Sequence, residues 1–175
     1  MKKIAIITII VFLFSLVYVD VISAGGFGSA RGVKTNKEGG VSGGMARGFK
    51  GENASGGQAR TFATDGQGNV AAGSASAVKG PNGGGARAGG FTRTSDGAVQ
   101  HKSGMAVSGQ AGTATTQGSF NKDSSDNVNG ERSTSATSQA GNQYQGSTTY
   151  NSGTGVSHSG KCYDASNNEI PCPNK

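Results

Sequence analysis

The chain lacks the residues from which most globular cores are built. Its 175 residues include no tryptophan, three prolines and two cysteines, and only 6% are aromatic. Both leucines, Leu13 and Leu16, lie within the first 24 residues, and Ile170 is the single isoleucine after residue 24. Because full burial of a large apolar side chain contributes about 1.5–3 kcal/mol, this shortage excludes a conventional hydrophobic core after residue 24.

Reactive groups are scarce as well. The two histidines are His101 and His158, and most carboxylates lie in segments of turn-forming composition, where aspartate bonds to its own backbone. No nucleophile has an evident base beside it, and two cysteines with one nearby histidine leave a zinc shell incomplete. The sequence therefore predicts a protein that is not an enzyme and has no metal or cofactor.

The N-terminus has the pattern of a secretory signal peptide. Lys2 and Lys3 precede an apolar run over residues 4–19, and Ile-Ser-Ala at 22–24 follows before Gly25. A membrane anchor is the alternative, but the run is just short of the roughly 20 residues that a spanning helix needs. Cleavage after Ala24 predicts a secreted protein, extracellular or at the cell surface, with no transmembrane segment in the mature chain.

A 29-residue register organises the remainder of the chain. Seven of the eight valines after residue 24 fall into its three columns. The columns are Val33, Phe62, Phe91 and Phe120; Val41, Val70, Val99 and Val128; and Phe49, Val78, Val107 and Ala136. A shortened fifth copy opens one residue late, at Tyr150. This register predicts a flexible glycine-rich lead-in at 25–32, four repeats over 33–149 and a shortened repeat at 150–175.

Each repeat reads as two extended segments of about ten residues with period-2 alternation, joined by turns rich in Gly, Asp and Asn. The prediction is an all-β fold of repeated antiparallel hairpins, which forms either a meander sheet or a β-solenoid. A three-residue loop at 65–67 would place Phe62 opposite Val70. The Asp-Gly turns favour the meander, the strict register favours the solenoid, and disorder is the other reading of so polar a composition.

The two cysteines lie in the last fourteen residues. A signal peptide directs them to an oxidising compartment, where a disulfide is expected. With a three-residue loop centred on Asn167, Cys162 and Cys172 would face each other in a hairpin. Pro171 and Pro173 cannot donate ladder bonds, so this hairpin is predicted to cap the sheet.

The mature chain is basic. Removing residues 1–24 takes away Lys2, Lys3 and Asp20, which leaves a net charge of 14 − 9 = +5. The basic residues look scattered along the chain. Such a charge favours contact with anionic surfaces, namely polysaccharide, extracellular DNA or lipid headgroups, without specific nucleic-acid recognition.

Residues 67–71 read Gln-Gly-Asn-Val-Ala, which is similar to the Gly-Asn-x-Ala core of a curli repeat. Together with the signal peptide and the glycine-rich hairpin units of 33–149, this segment resembles the subunits of curli-type functional amyloid. The resemblance implies self-assembly in a cell-surface layer, filament or biofilm matrix. Two alternatives remain, a cationic glycine-rich antimicrobial protein that resembles attacins and, with less support, an ice-binding protein.

Overall fold

A computed structural model describes residues 26–172, and these residues form eleven β-strands. The predicted signal peptide at 1–24 lies outside the described residues. Within 26–172 no helix occurs, and none is therefore long and apolar enough to cross a membrane. The strands are β1 (Gly26–Thr35), β2 (Val41–Lys50), β3 (Ser55–Thr64), β4 (Val70–Gly80), β5 (Gly83–Arg93), β6 (Val99–Gly109), β7 (Gly112–Lys122), β8 (Val128–Ser138), β9 (Gln143–Asn151), β10 (Gly155–Tyr163) and β11 (Glu169–Ile170).

The strands form one open antiparallel sheet in sequential order, β1 to β11. This is the meander; the solenoid, the other arrangement that the sequence allowed, is not formed. The physical reason is the length of the connections, which are two to five residues long. Connections this short close hairpins, as where Gly80 pairs with Gly83 across two residues, so each strand forms its ladder with its neighbours in the chain and not with its equivalent one unit later.

The two faces of the sheet differ sharply in composition. Side chains alternate along a strand, and directly paired residues share a face. The aromatic face, defined by the rows that contain Phe62 and Val78, carries all eight valines and all five phenylalanines of residues 26–172. The opposite, small-residue face is mostly Gly, Ala, Ser and Thr. One of its rows reads Ala30, Ala46, Ala59, Ala75 and Ala88.

The sheet is a single layer without a core. Cys162 is the only buried hydrophobic side chain among the described residues, at 6% exposure. Backbone ladder bonds, each with a net contribution of about 0.5–1.5 kcal/mol, therefore carry much of the stability. Globular domains normally pack two layers around a core, and a second layer is missing from this part of the chain.

Residues 26–32 of the glycine-rich lead-in belong to a strand, which corrects the prediction that the lead-in is flexible. Residues 26–35 pair along their full length with β2, from Gly26 opposite Lys50 to Thr35 opposite Val41. Phe27 and Phe49 face each other with ring centroids 6.3 Å apart. The ladder to β2 orders this segment in spite of its glycines.

The loop between β3 and β4 has five residues, so the predicted three-residue loop was wrong. Thr64 pairs with Val70, which places Phe62 opposite Ala72 instead of Val70. The Asp65 carboxylate explains the longer loop, because its Oδ1 accepts bonds from the backbone N–H groups of Gln67 (2.8 Å) and Asn69 (3.1 Å). The register is shifted by two residues, and each side chain therefore keeps its predicted face.

The late start of the fifth copy is absorbed in one turn. Gly80 pairs with Gly83, and Gly109 with Gly112, across two-residue turns. The corresponding turn before β9 holds three residues, because the N–H of Ser138 bonds to the carbonyl of Asn142 at 2.8 Å. The extra residue is thus taken up before the strand begins, and Tyr150 stays in line with the earlier copies.

Candidate interaction surfaces

The first column of the register lies in one row across the sheet, on alternate strands. We call this row, with Tyr150, the aromatic row. Its members are Val33, Phe62, Phe91, Phe120, Tyr150 and Val156, with Gly43, Ala72, His101 and Gly130 on the strands between them. Adjacent strands are about 4.7–4.9 Å apart, so the rings stand about 9.5 Å apart. In the meander, Phe62 and Phe91 are thus separated by β4 and do not stack directly.

Rings of the aromatic face lie over glycines of neighbouring strands. A Cβ added to Gly43 would come within 2.7 Å of the Phe62 ring, and one added to Gly56 within 2.8 Å of the Phe49 ring. A Cβ at either position would meet the covering ring and also a backbone carbonyl, that of Gly32 at 3.0 Å for Gly43 and that of Ala77 at 2.8 Å for Gly56. Each ring thereby shields the backbone of the next strand and fixes the register of the pair.

The other two columns lie in rows near the two ends of the strands. Val41, Val70, Val99 and Val128 are the first residues of β2, β4, β6 and β8. Near the opposite end, a single row contains Phe49, Val78, Val107, Ala136, Tyr144 and Cys162. The three columns therefore form three separate apolar rows on the same face.

The basic side chains are sorted between the two faces, contrary to their scattered appearance in the sequence. All six arginines of the chain lie on the aromatic face, together with Lys122, and no carboxylate of the strands shares that face. The arginines are Arg31, Arg47, Arg60, Arg87, Arg93 and Arg132. The remaining strand lysines, and both strand carboxylates, lie on the small-residue face. These are Lys34, Lys50, Lys79, Lys102, Lys161, Glu131 and Glu169.

The disulfide between Cys162 and Cys172 is formed, with the two Cα atoms 5.1 Å apart. The predicted pairing was wrong in register, since Cys162 lies opposite Ile170 and the turn holds five residues. β11 pairs with Cys162 and Tyr163 only. Within the described residues, the outer edge of β10 is therefore open over 155–161, and the predicted cap covers one end of that edge.

Three turns share one side-chain arrangement. Asp65, Asp123 and Asp164 each accept bonds from the backbone N–H groups two and four residues later, and from the side-chain amide of the asparagine four residues later. These hydrogen bonds, above all the one from the asparagine side chain, lower the pKa of each aspartate below its ordinary value.

Acid is expected to destabilise these turns. A carboxyl group whose pKa is lower in the folded state contributes stability above its ordinary pKa of 3.8 and loses that contribution as the pH falls below it. We expect the midpoint of thermal unfolding to be constant from pH 7 to about pH 5 and to decrease below pH 4. Circular dichroism melts across this range measure the effect.

The matched control replaces the three aspartates together, as Asp65→Asn, Asp123→Asn and Asp164→Asn. Asparagine can hold such a turn, since Asn36 Oδ1 accepts bonds from the N–H groups of Glu38 (3.1 Å) and Gly40 (2.6 Å). The variant should show a shallower loss of stability in acid. An unchanged acid slope would show that other carboxyl groups carry the effect.

No catalytic or metal centre is apparent in the described part of the chain. Between residues 26 and 172, no three His, Cys, Asp or Glu side chains are grouped so that they could hold a metal ion. His158 Nδ1 is hydrogen-bonded to the Thr148 hydroxyl at 2.8 Å, and both side chains lie on an open face. That the protein is not an enzyme stays a prediction.

The comparisons with known proteins gave no significant match to a family model, a curated protein or a solved structure. The resemblance to curli-type subunits therefore stays a prediction. The described residues present four surfaces that could bind a partner, which are the two open edges, the aromatic face and the small-residue face.

Proposed function

We propose that the protein is a secreted structural protein that assembles with copies of itself into a surface layer, filament or biofilm matrix. In this proposal residues 1–24 are the signal peptide, and the 29-residue unit is a hairpin repeat that extends the sheet. The single-layer architecture supports the proposal. Only one hydrophobic side chain among the described residues is buried in the monomer, so assembly would bury apolar surface that the monomer leaves exposed.

The two edge strands carry the proposal. Val33 on β1 and Val156 on β10 are the two most exposed valines of the described residues, at 71% and 69% exposure. Both belong to the aromatic row, at its two ends. An open strand edge presents unpaired N–H and C=O groups to another chain. An exposed apolar residue on each edge, in the same row, gives those edges a preferred register.

Addition of β1 from a second copy to β10 continues the meander. β1 and β10 run in opposite directions, as the ten-strand alternation requires. With the rows in line, Val156 would lie opposite Val33 of the second copy, and residues 155–161 would pair with 28–34. β11 occupies the outer edge beside Cys162, so the pairing stops there.

Such a contact is head-to-tail and uses two different edges of the same molecule. Contacts of this kind produce open filaments unless the rotation between copies closes a ring. Ten strands at about 4.8 Å give an advance of about 48 Å for each copy. A filament of this geometry would have strands perpendicular to its long axis.

Val156→Lys tests the proposal. A lysine at an edge is a natural device against edge-to-edge pairing, and the 69% exposure of Val156 predicts little effect on the monomer. We expect the parent mature chain to sediment as large assemblies and to show filaments or sheets by electron microscopy. The variant should sediment as a monomer with an unchanged β spectrum.

Val78→Lys is the matched control, because Val78 is 52% exposed on the same face but lies in the interior strand β4. It should still assemble. A monomeric parent chain, or equal assembly of the parent and the Val156→Lys variant, would contradict the proposal. A monomeric parent that permeabilises bacterial membranes would favour the antimicrobial alternative.

A further inference from the structure

The arginines and most of the strand lysines lie on opposite faces of the sheet. This separation indicates that the aromatic face recognises the shape of its ligand and not positive charge alone. A protein that required only positive charge could use either residue on either face. Arginine differs from lysine in that its planar guanidinium binds phosphate in a bidentate manner and stacks on aromatic rings. All six arginines share a face with all five phenylalanines of residues 26–172. The strands also contain six lysines. Five of these lie on the opposite face, and Lys122 is the exception.

The arginines flank the aromatic row on both sides. Arg93 and Lys122 lie two residues from Phe91 and Phe120, toward the first residues of the even strands. Arg60 and Arg132 lie in the row on the other side. A chain that follows the aromatic row would thus have cations along both of its sides.

The rings of the row are open to a ligand. Phe62, Phe91, Phe120 and Tyr150 are each about two-fifths exposed, between 38% and 42%. They rise from alternate strands, and small residues or His101 lie between them. Exposed aromatic rings with smaller side chains between them are suited to stacking with planar groups.

A shallow depression of about 240 Å³ lies on this row. Phe120 and Tyr150 stand on either side of Gly130, and the lining includes His101 and Arg132. An aromatic group placed over Gly130 could contact a ring on each side. Arg132 lines the same depression, so its guanidinium could bind an anionic group of that ligand.

We propose that the aromatic face binds single-stranded nucleic acid without sequence preference. Charge complementarity and stacking together favour this ligand, because single strands expose bases to aromatic rings and phosphates to arginines. An acidic polysaccharide has no planar π groups to stack on the rings, and a duplex hides its bases. The inference rests on the proposed function, because a secreted matrix protein would meet extracellular DNA. The ligand would be the single-stranded or locally opened stretches of that DNA.

The binding experiment uses the Val156→Lys background, so that assembly does not compete, and measures fluorescence anisotropy of a labelled oligothymidine. An oligomer of roughly 16 nucleotides matches the upper site size of known single-strand-binding folds. In the Val156→Lys background the face carries up to eight cations, because the substitution adds one to the six arginines and Lys122. The slope of log affinity against log salt should therefore be no steeper than about −6, at 0.7 for each phosphate. An excess of unlabelled polyuronate, matched in charge, should compete at least tenfold less well than unlabelled oligothymidine.

Two pairs of variants separate the face from the net charge. Arg60→Gln, Arg93→Gln and Arg132→Gln together should weaken binding at least tenfold and make the salt slope shallower by about 2. The control, Lys50→Gln, Lys79→Gln and Lys102→Gln, removes the same charge from the small-residue face and should have a much smaller effect. Tyr150→Leu should weaken binding about tenfold by removing a stacking ring, and Tyr163→Leu, on the other face, should not.

Equal losses in the arginine and lysine variants would overturn the proposal, as would equal competition by polyuronate, which would indicate a charge-driven polysaccharide surface. Binding to vesicles of anionic phospholipid but not to oligothymidine would indicate a membrane surface and would also overturn it. Assembly is measured separately in the arginine variant without Val156→Lys. If that variant assembles normally while no version of the protein binds oligothymidine, this inference fails and the proposed function stands; binding without assembly gives the reverse.

Discussion

Phe62→Ala is expected to lower the free energy of unfolding by about 2 kcal/mol. Aromatic-to-alanine changes in packed cores cost about 3–5 kcal/mol, and the Phe62 ring is 42% exposed, so about half of that cost applies. The ring lies over Gly43 of β2. Its removal therefore exposes the backbone of β2 to water, in addition to the loss of the contacts that the ring itself makes. For a chain of this size the change corresponds to a decrease of roughly 4–8 °C in the unfolding midpoint.

Phe27→Ala is the matched control, because it removes the same atoms from a ring that is 91% exposed on the edge strand β1. Its effect should be within about 0.5 kcal/mol of zero, as for most surface substitutions. Thermal and denaturant unfolding of the two variants in the Val156→Lys background give the comparison. If both variants lost the same stability, the rings over glycines would have no structural role.

Loss of the disulfide should have the second large effect, and a local one. The chain-entropy model assigns about 2–3 kcal/mol to the closure of a loop of this length. β11 contacts only the end of β10. We therefore expect Cys162→Ala with Cys172→Ala to unfold β11 and the end of β10 while the earlier strands remain folded.

Amide hydrogen exchange resolves this prediction residue by residue. Protection should be lost at Tyr163 and Ile170 and should be unchanged in β3 to β7. Loss of protection across the whole sheet would mean that the hairpin supports every strand, and the single-layer sheet would then be one cooperative unit. Unchanged protection at Ile170, which pairs with residue 162, would mean that the disulfide adds nothing to the pairing of β10 with β11.

Alternation and turn chemistry were enough to predict the all-β fold, the two faces and the hairpin units. Val70 and Val78 share a face in the structure as their even spacing predicts. The Asp-Gly turns favoured the meander, but the strict register left the solenoid open. What alternation does not fix is the length of each loop. A shift of two residues leaves every side chain on its face, so the sequence pattern is equally satisfied by a three-residue and a five-residue loop.

The signal for the longer loops was nevertheless present. Asp65 and Asn69, Asp123 and Asn127, and Asp164 and Asn168 are each four residues apart, the spacing of a side chain that closes a five-residue turn on itself. β1 was missed for a different reason, since glycine-rich composition says little about a segment whose order comes from its neighbour. Its ladder to β2 is a tertiary property.

The sorting of the arginines could also have been read from spacing. Each arginine is an even number of residues from an apolar column position on the same strand, as Arg60 is from Phe62 and Arg47 from Phe49. Alternation alone therefore places them on the aromatic face. The sequence could not show that the flanking rows bring residues of different strands together beside one row of rings, because that depends on the registers.

A single distance measurement tests the single-layer meander most directly. Ser42 on β2 and Asn129 on β8 lie in one row of the small-residue face, six strands apart. Spin labels introduced by Ser42→Cys and Asn129→Cys, in an excess of unlabelled Val156→Lys protein, should give a narrow distribution near 29 Å by double electron–electron resonance, six times the strand separation of about 4.8 Å. A broad distribution, as expected of a disordered chain, or a distance well below 29 Å, as expected if the sheet folded back on itself, would contradict the account.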